Sequence, residues 1–285
     1  MLTKFVNIQC GLFSNFNMVM TGIWAFHKAH PDTDISYHVD WSQTSQWFHY
    51  GPDNFNVWTV LFEPSDTVSP VPLPSTSASE ECETKPYDHV ITEYVTEGWK
   101  LTSTNARTAY LTEPEVWRAE IHDLFTQHIK VKAGILKEVD EFVEAHFKDA
   151  HVIAVHMRAS IISREQGNGC YPNHDEFANA IDEIIQANNS DITTGKPCKV
   201  FLATDNQEAV DYMKARFPDD MFITRDHKLY RANEDHDALG MDTQHARDAF
   251  IDALLLSRAD HFVHAVSNVA TAVLYMNPGL ANKFL

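Results

Sequence analysis

The chain has 285 residues, with 22 Lys and Arg against 40 Asp and Glu and a formal net charge of −18 at pH 7. That length holds two modest domains or one large one, and the 44% apolar share is that of a globular chain rather than a disordered one. No cluster of Lys and Arg supplies the cationic face that a duplex demands, so no nucleic-acid partner is expected; a few cations in so acidic a chain suit one small anion.

The opening residues, MLTKFVNIQC, carry neither the long apolar core nor the small-residue cleavage site of a secretory signal, and no stretch approaches the length of a membrane span. A cytoplasmic location with no membrane span is the expectation. Cys10, Cys82, Cys170 and Cys198 show no CxxC spacing and read as reduced, buried thiols.

Residues 4–9 predict a strand running into Gly11. From Asn15 a helix follows, with Phe16, Val19, Met20, Ile23 and Trp24 at helical spacing, and Pro31 ends it. Ile35 to Val39 reads as the next strand, which makes the opening a βαβ unit. Residues 64–86 are rich in Pro and Ser and predict a long surface loop. Helices over Pro114–His128 and Val131–Phe147 are expected to connect or brace two lobes. From residue 151 strands and helices alternate: strand HVIAV, helix 173–187, strand KVFLA, helix 207–217, strand MFIT, helix 243–257, strand HFVHA, helix 267–276. That alternation predicts a parallel sheet with right-handed crossovers.

Ligands of an open parallel sheet bind beyond the carboxyl ends of its strands. The residues standing there are His156, Met157 and Arg158 after HVIAV, Thr204 and Asp205 after KVFLA, and Ser267 and Asn268 after HFVHA. His156 and Arg158 are two apart on a strand and share a face. The Arg guanidinium is a planar fork that matches phosphate oxygens. Ser267 at a helix start offers a hydroxyl and free backbone N–H groups. Asp205 accepts from ring N–H or ribose hydroxyl groups, although the same residue also suits the cap of the helix that follows. Together these side chains suit a nucleoside diphosphate.

At these residues a resemblance enters. HVIAVHMR resembles the hydrophobic strand and His-x-Arg motif of the α1,6-fucosyltransferase and protein O-fucosyltransferase superfamily, which includes the nodulation fucosyltransferases. VFLATDNQEAVDYMKARFPD and DALLLSRADHFVHAVSNVATAVLYM are similar to its next two motifs, and GLFSNFNMV to its N-terminal loop. The likeness covers about half of the chain, chiefly 151–278. It implies an α/β fold of the GT-B type, with two Rossmann-like lobes and parallel sheets, divided here as an acceptor-side lobe 1–148 and a nucleotide-sugar-binding lobe 149–285. It further implies a GDP-fucose donor, a glycan acceptor, inversion at the sugar carbon, and neither cofactor nor metal. By the same resemblance Arg158 would hold the diphosphate, His156 and Asp205 the guanosine, and Ser267 and Asn268 a phosphate, with Asn15 of the N-terminal loop as a further donor contact. Ala159 and Ser160 depart from the family pattern. They leave open another donor sugar, such as xylose or rhamnose, or a non-catalytic module that binds nucleotide sugars or glycans.

Glycosyl transfer passes through an oxocarbenium-like state, and the departing diphosphate needs positive charge more than a proton. Glu165, on the loop after Arg158, is the candidate general base, with Asp175 and Glu176 as alternatives that suit the capping of the next helix better. Trp41, Trp47, Phe48, Tyr50 and Trp58 crowd one irregular stretch. Trp47 and Trp58 are the candidate acceptor-stacking rings, against the reading that these aromatics form the core of the N-terminal lobe. No HExxH occurs, and the Asp32-x-Asp34 and Asp235-His236-Asp237 pairs make poor metal sites.

Overall fold

The computed structural model describes residues 2–6, 11–42, 55–70, 115–158, 172–190, 195–227, 229, 242–265 and 267–285. The chain forms two compact units, one of residues 1–136 with 237–250, the other of 137–236 with 251–285. The expected boundary at 148/149 lies inside the second unit, because two helices run from one unit into the other.

In the first unit, β1 (Leu2–Val6), α1 (Leu12–Ala29) and β2 (Ser36–Asp40) form the expected βαβ unit, with β1 and β2 parallel. The helix α1 starts at Leu12, ahead of the expected Asn15, and ends before Pro31. After α2 (Trp58–Leu61) come β3 (Phe62–Glu63) and β4 (Val68–Ser69). β4 pairs parallel with β2 and gives a three-stranded sheet of order β1-β2-β4. The segment read as a loop from residue 64 therefore contains a strand. After α3 (Glu115–His128), β5 (Lys130–Val131) pairs antiparallel with β3. The core is aromatic. Phe16 stacks on Phe62 at 6.0 Å and meets Phe125 edge-on at 6.0 Å, and Trp58 lies 4.0 Å from Phe62 between ring centroids.

The helix α4 (Ala133–His146) leads into the second unit. Asp149 closes the turn after it with φ 58, a left-handed conformation that Asp tolerates. The sheet then follows: β6 (His151–Met157), α5 (His174–Ser190), β7 (Cys198–Thr204), α6 (Gln207–Arg216), β8 (Phe222–Thr224), α7 (Thr243–Leu256), β9 (His261–His264), α8 (Asn268–Met276) and β10 (Ala281–Phe284). All neighbours are parallel and the order is β10-β9-β6-β7-β8. Numbered by appearance this is 5-4-1-2-3, the doubly wound order whose winding reverses between its first and fourth strands. Helices cover both faces, so β6 and β7 are buried along nearly their whole length, which is why each reads as an unbroken apolar run. The unpredicted β10 is an edge strand.

Candidate functional site

The reversal of winding falls between β6 and β9, whose carboxyl ends carry His156 and His264. In register, His156 pairs with His264 on one side and Ala203 on the other, and Met157 with Thr204. The ends of β7, β6 and β9 are thus contiguous, as the reading of a shared crevice requires.

His156 is 7% exposed and its Nδ1 lies 3.3 Å from Ser267 Oγ. Burial, with repulsion from Arg158 and His264 added, pushes its pKa from 6.5 down to about 3. The ring is therefore neutral at any working pH and acts as a hydrogen-bonding group, not a cation. Ser267 is the N-cap of α8: its Oγ accepts from the Ala270 N–H at 3.0 Å. One buried hydroxyl thereby ties the start of α8 to the end of β6. Arg158 stands two residues past His156 and partly exposed, and Asn268, also partly exposed, opens α8. The carboxyl end of β6 thus carries a guanidinium close enough to raise the cost of charging His156, and His156 meets the N-cap of α8; a guanidinium and a helix N-terminus each attract phosphate, through charge and oriented N–H groups.

Asp205 follows β7 and is partly exposed. It does not cap α6; Asn206 does, its Oδ1 accepting from the Ala209 N–H at 2.8 Å. Asn15 belongs to the first unit, where it is buried in the first turn of α1 and donates from Nδ2 to the Gly11 carbonyl at 3.3 Å.

The structure revises some of these expectations and agrees with others. Trp58 is 1% exposed and packed against Trp41 and Phe62, so it has no free face for a sugar and is a core residue. Glu176 forms a reciprocal capping box with Asn173, at 2.8 and 3.0 Å, and Asp175 accepts from the Tyr212 hydroxyl; both carboxylates serve structure. His264 lies on β9, in the expected strand HFVHA, and is fully buried. Cys198 is a free thiol, though only partly buried, and burial raises its pKa. Glu165 and Trp47 lie outside the described residues, as do Cys10, Cys82 and Cys170.

Sequence reading passed over one further group. Arg225 and His227 follow β8, and Arg225 donates from Nη1 to Asp252 Oδ1 at 2.9 Å and from Nη2 to Glu138 Oε1 at 3.1 Å. The available signal was Asp252, a carboxylate inside the apolar run FIDALLL. Among the described residues no group of three His, Cys, Asp or Glu is placed to hold a metal ion, and no helix is long and apolar enough to cross a membrane.

The profile of the nodulation protein Z (NodZ) family matches residues 115–274, more than half of the chain and the whole of the site just described apart from Asn15. No protein of curated function matches the sequence. Among solved structures, a NodZ fucosyltransferase from Bradyrhizobium superposes with a TM-score of 0.57 at 18% identity, over 97% of this chain and 93% of that one. POFUT1 in complex with GDP-fucose gives 0.57 at 14%, over 99% and 97%. A variant of Arabidopsis thaliana FUT1 in complex with GDP gives 0.55 at 12%, over 100% and 70%. Identities so low establish the fold, which is the GT-B type of these fucosyltransferases. With the profile spanning β6 to β9 of the parallel sheet and the strand ends that carry His156, Arg158, Asp205 and Ser267, the chain belongs to the nodulation protein Z family.

Proposed function

We propose that the protein is an inverting glycosyltransferase that moves fucose from GDP-fucose to a glycan hydroxyl. The observation that carries this reading is the His156–Ser267 contact at the point where the winding of the sheet reverses, with Arg158 two residues past His156. It is supported by membership of the NodZ family and by likeness to fucosyltransferases solved with GDP-fucose or GDP.

In this reaction the acceptor oxygen bonds to C1 of the fucose, the bond from C1 to the β-phosphate oxygen breaks, and its electron pair leaves on GDP. Arg158 and the N–H groups at the start of α8 balance the charge that grows on the departing phosphate. The neutral His156, with Asp205 one strand away, contacts the guanosine, and Ser267 and Asn268 hold phosphate. The acceptor proton goes to a carboxylate, for which Glu165 is assigned.

The test is donor turnover. The protein is incubated with GDP-fucose, other GDP-sugars and UDP-sugars, with excess EDTA, and release of the nucleoside diphosphate is followed while calorimetry reports GDP affinity. GDP binding with turnover of GDP-fucose alone is the expected result. GDP binding with no turnover of any donor, across a panel of glycan acceptors, would make the chain a binding module instead. Turnover that appears only after Mn²⁺ or Mg²⁺ is added would end the metal-independent mechanism.

A further inference from the structure

The turn that leaves β7 is held from both ends. Thr204 and Asn206 are buried, 5% and 4% exposed, while Asp205 between them is partly exposed. Thr204 Oγ1 accepts from the Asn206 N–H at 3.1 Å, and Asn206 in turn caps α6. Those two bonds are local. A third comes from beyond β8: His227 Nε2 lies 3.2 Å from the Thr204 carbonyl oxygen. A carbonyl only accepts, so the ring must carry its hydrogen on Nε2.

The same Nε2 is 3.6 Å from Asp252 Oδ2. Asp252 is itself held by Arg225, and Arg225 by Glu138. The side chains of Arg225, His227 and Asp252 are only 9%, 10% and 11% exposed. Charges taken out of water to this degree are stable only when paired in good geometry, and such networks hold fixed positions. The polar end of this one rests on the peptide that carries Asp205.

We infer that His227 is a positioning residue: lying beside the Asp252 carboxylate, it donates its Nε2–H to the Thr204 carbonyl and so fixes the carboxyl end of β7 with Asp205 where the nucleobase is read. This rests on the proposed contact of Asp205 with guanosine. A carboxylate accepting from guanine N1–H and the 2-amino group loses one bond when the amino group is absent. The preference for GDP over IDP, which lacks that group, therefore measures how well Asp205 is placed, whereas a merely structural role would lower thermal stability and leave the preference intact.

The experiment measures GDP and IDP affinity by calorimetry for the full chain and four variants. Wild type should prefer GDP by about tenfold or more, the effect of one hydrogen bond to a charged group. Asp205→Asn should bring the ratio close to one. His227→Phe, which keeps a ring and removes the donor, should reduce it to within about threefold of one, and His227→Gln, which restores an N–H at a similar reach, should recover most of it. Asp252→Asn leaves the histidine in place but removes the neighbouring carboxylate that favours its N–H and holds Arg225, and should lower the ratio too, which keeps the question decidable if the phenylalanine variant does not fold. A wild-type ratio in both His227→Phe and Asp252→Asn, or in Asp252→Asn where only that variant folds, with the preference lost in Asp205→Asn, would overturn the positioning role alone. A ratio unchanged by Asp205→Asn would overturn the base contact and the positioning role with it.

Discussion

Ser267 separates structure from binding because one hydroxyl is expected to do both. Its Oγ caps α8 through the Ala270 N–H and meets His156 Nδ1, all at a site 7% exposed. In Ser267→Ala the cap is lost, at about 1 kcal/mol, and a buried ring nitrogen loses its partner, at about 1–3 kcal/mol. The sum, about 2–4 kcal/mol, corresponds to a fall in Tm of roughly 4–16 °C for a chain of this size class. Ser267→Asp behaves differently. Aspartate caps a helix as well as serine does, so the cap's share of the Tm should survive, less the cost of a carboxylate at a site 7% exposed. Its carboxylate, however, would face the phosphate at about 4 Å, a repulsion of about 4 kcal/mol at an effective dielectric near 20, or roughly a thousandfold in affinity. Scanning calorimetry gives the first effect and GDP titration the second. A Ser267→Asp protein that binds GDP like wild type would show that no phosphate lies at the start of α8, whatever its Tm.

Arg158→Ala should weaken GDP binding by roughly tenfold to a hundredfold, the worth of a charge-assisted bidentate contact, and calorimetry on the folded variant checks it. Trp58→Ala should cost about 3–5 kcal/mol of stability, as for other buried large-to-small changes, with kinetics unchanged in the protein that still folds; denaturant melts and acceptor KM decide this. The His156 pKa is lowered by folding, so between pH 6.5 and about 3 the unfolded chain binds one proton more, and the contribution of this residue is lost as pH falls through that window by up to about 1.4 kcal/mol per pH unit. His27 and His128 of the first unit are lowered by burial and act with the same sign. Melting His156→Asn alongside wild type across this range should show a shallower loss in the variant.

Much of the second unit was legible because both faces of its sheet are covered. A strand buried on two sides must be apolar throughout, so HVIAV and KVFLA stand out, and the first polar residue after each marks the edge where ligands bind. The same logic hides β10. Its residues Ala281 and Asn282 are exposed at the sheet edge, and the segment ANKF offers neither an apolar run nor an alternation to see. β4 escapes for a related reason: two residues that borrow their order from β2 need no pattern of their own. His227 and Asp252 belong to a third class. They meet across 25 residues of sequence, and no local spacing encodes a contact of that kind.

Composition alone left the aromatics of the first unit between a sugar face and a core, and Trp58 falls to the core. Rings crowded into an irregular segment suit a sugar face and a protein core equally well, because both bury the same C–H and π surface. What decides between them is which side is left open to water, and that depends on partners far away in sequence. Trp58 opens a single turn of helix. It meets Trp41 at the end of β2 and Phe62 at the start of β3, and Phe62 in turn packs on Phe16 of α1 and Phe250 of α7. A ring 1% exposed and packed against two others has given its surface to the fold. An acceptor that stacks on this unit must use aromatic side chains that the core has not already taken.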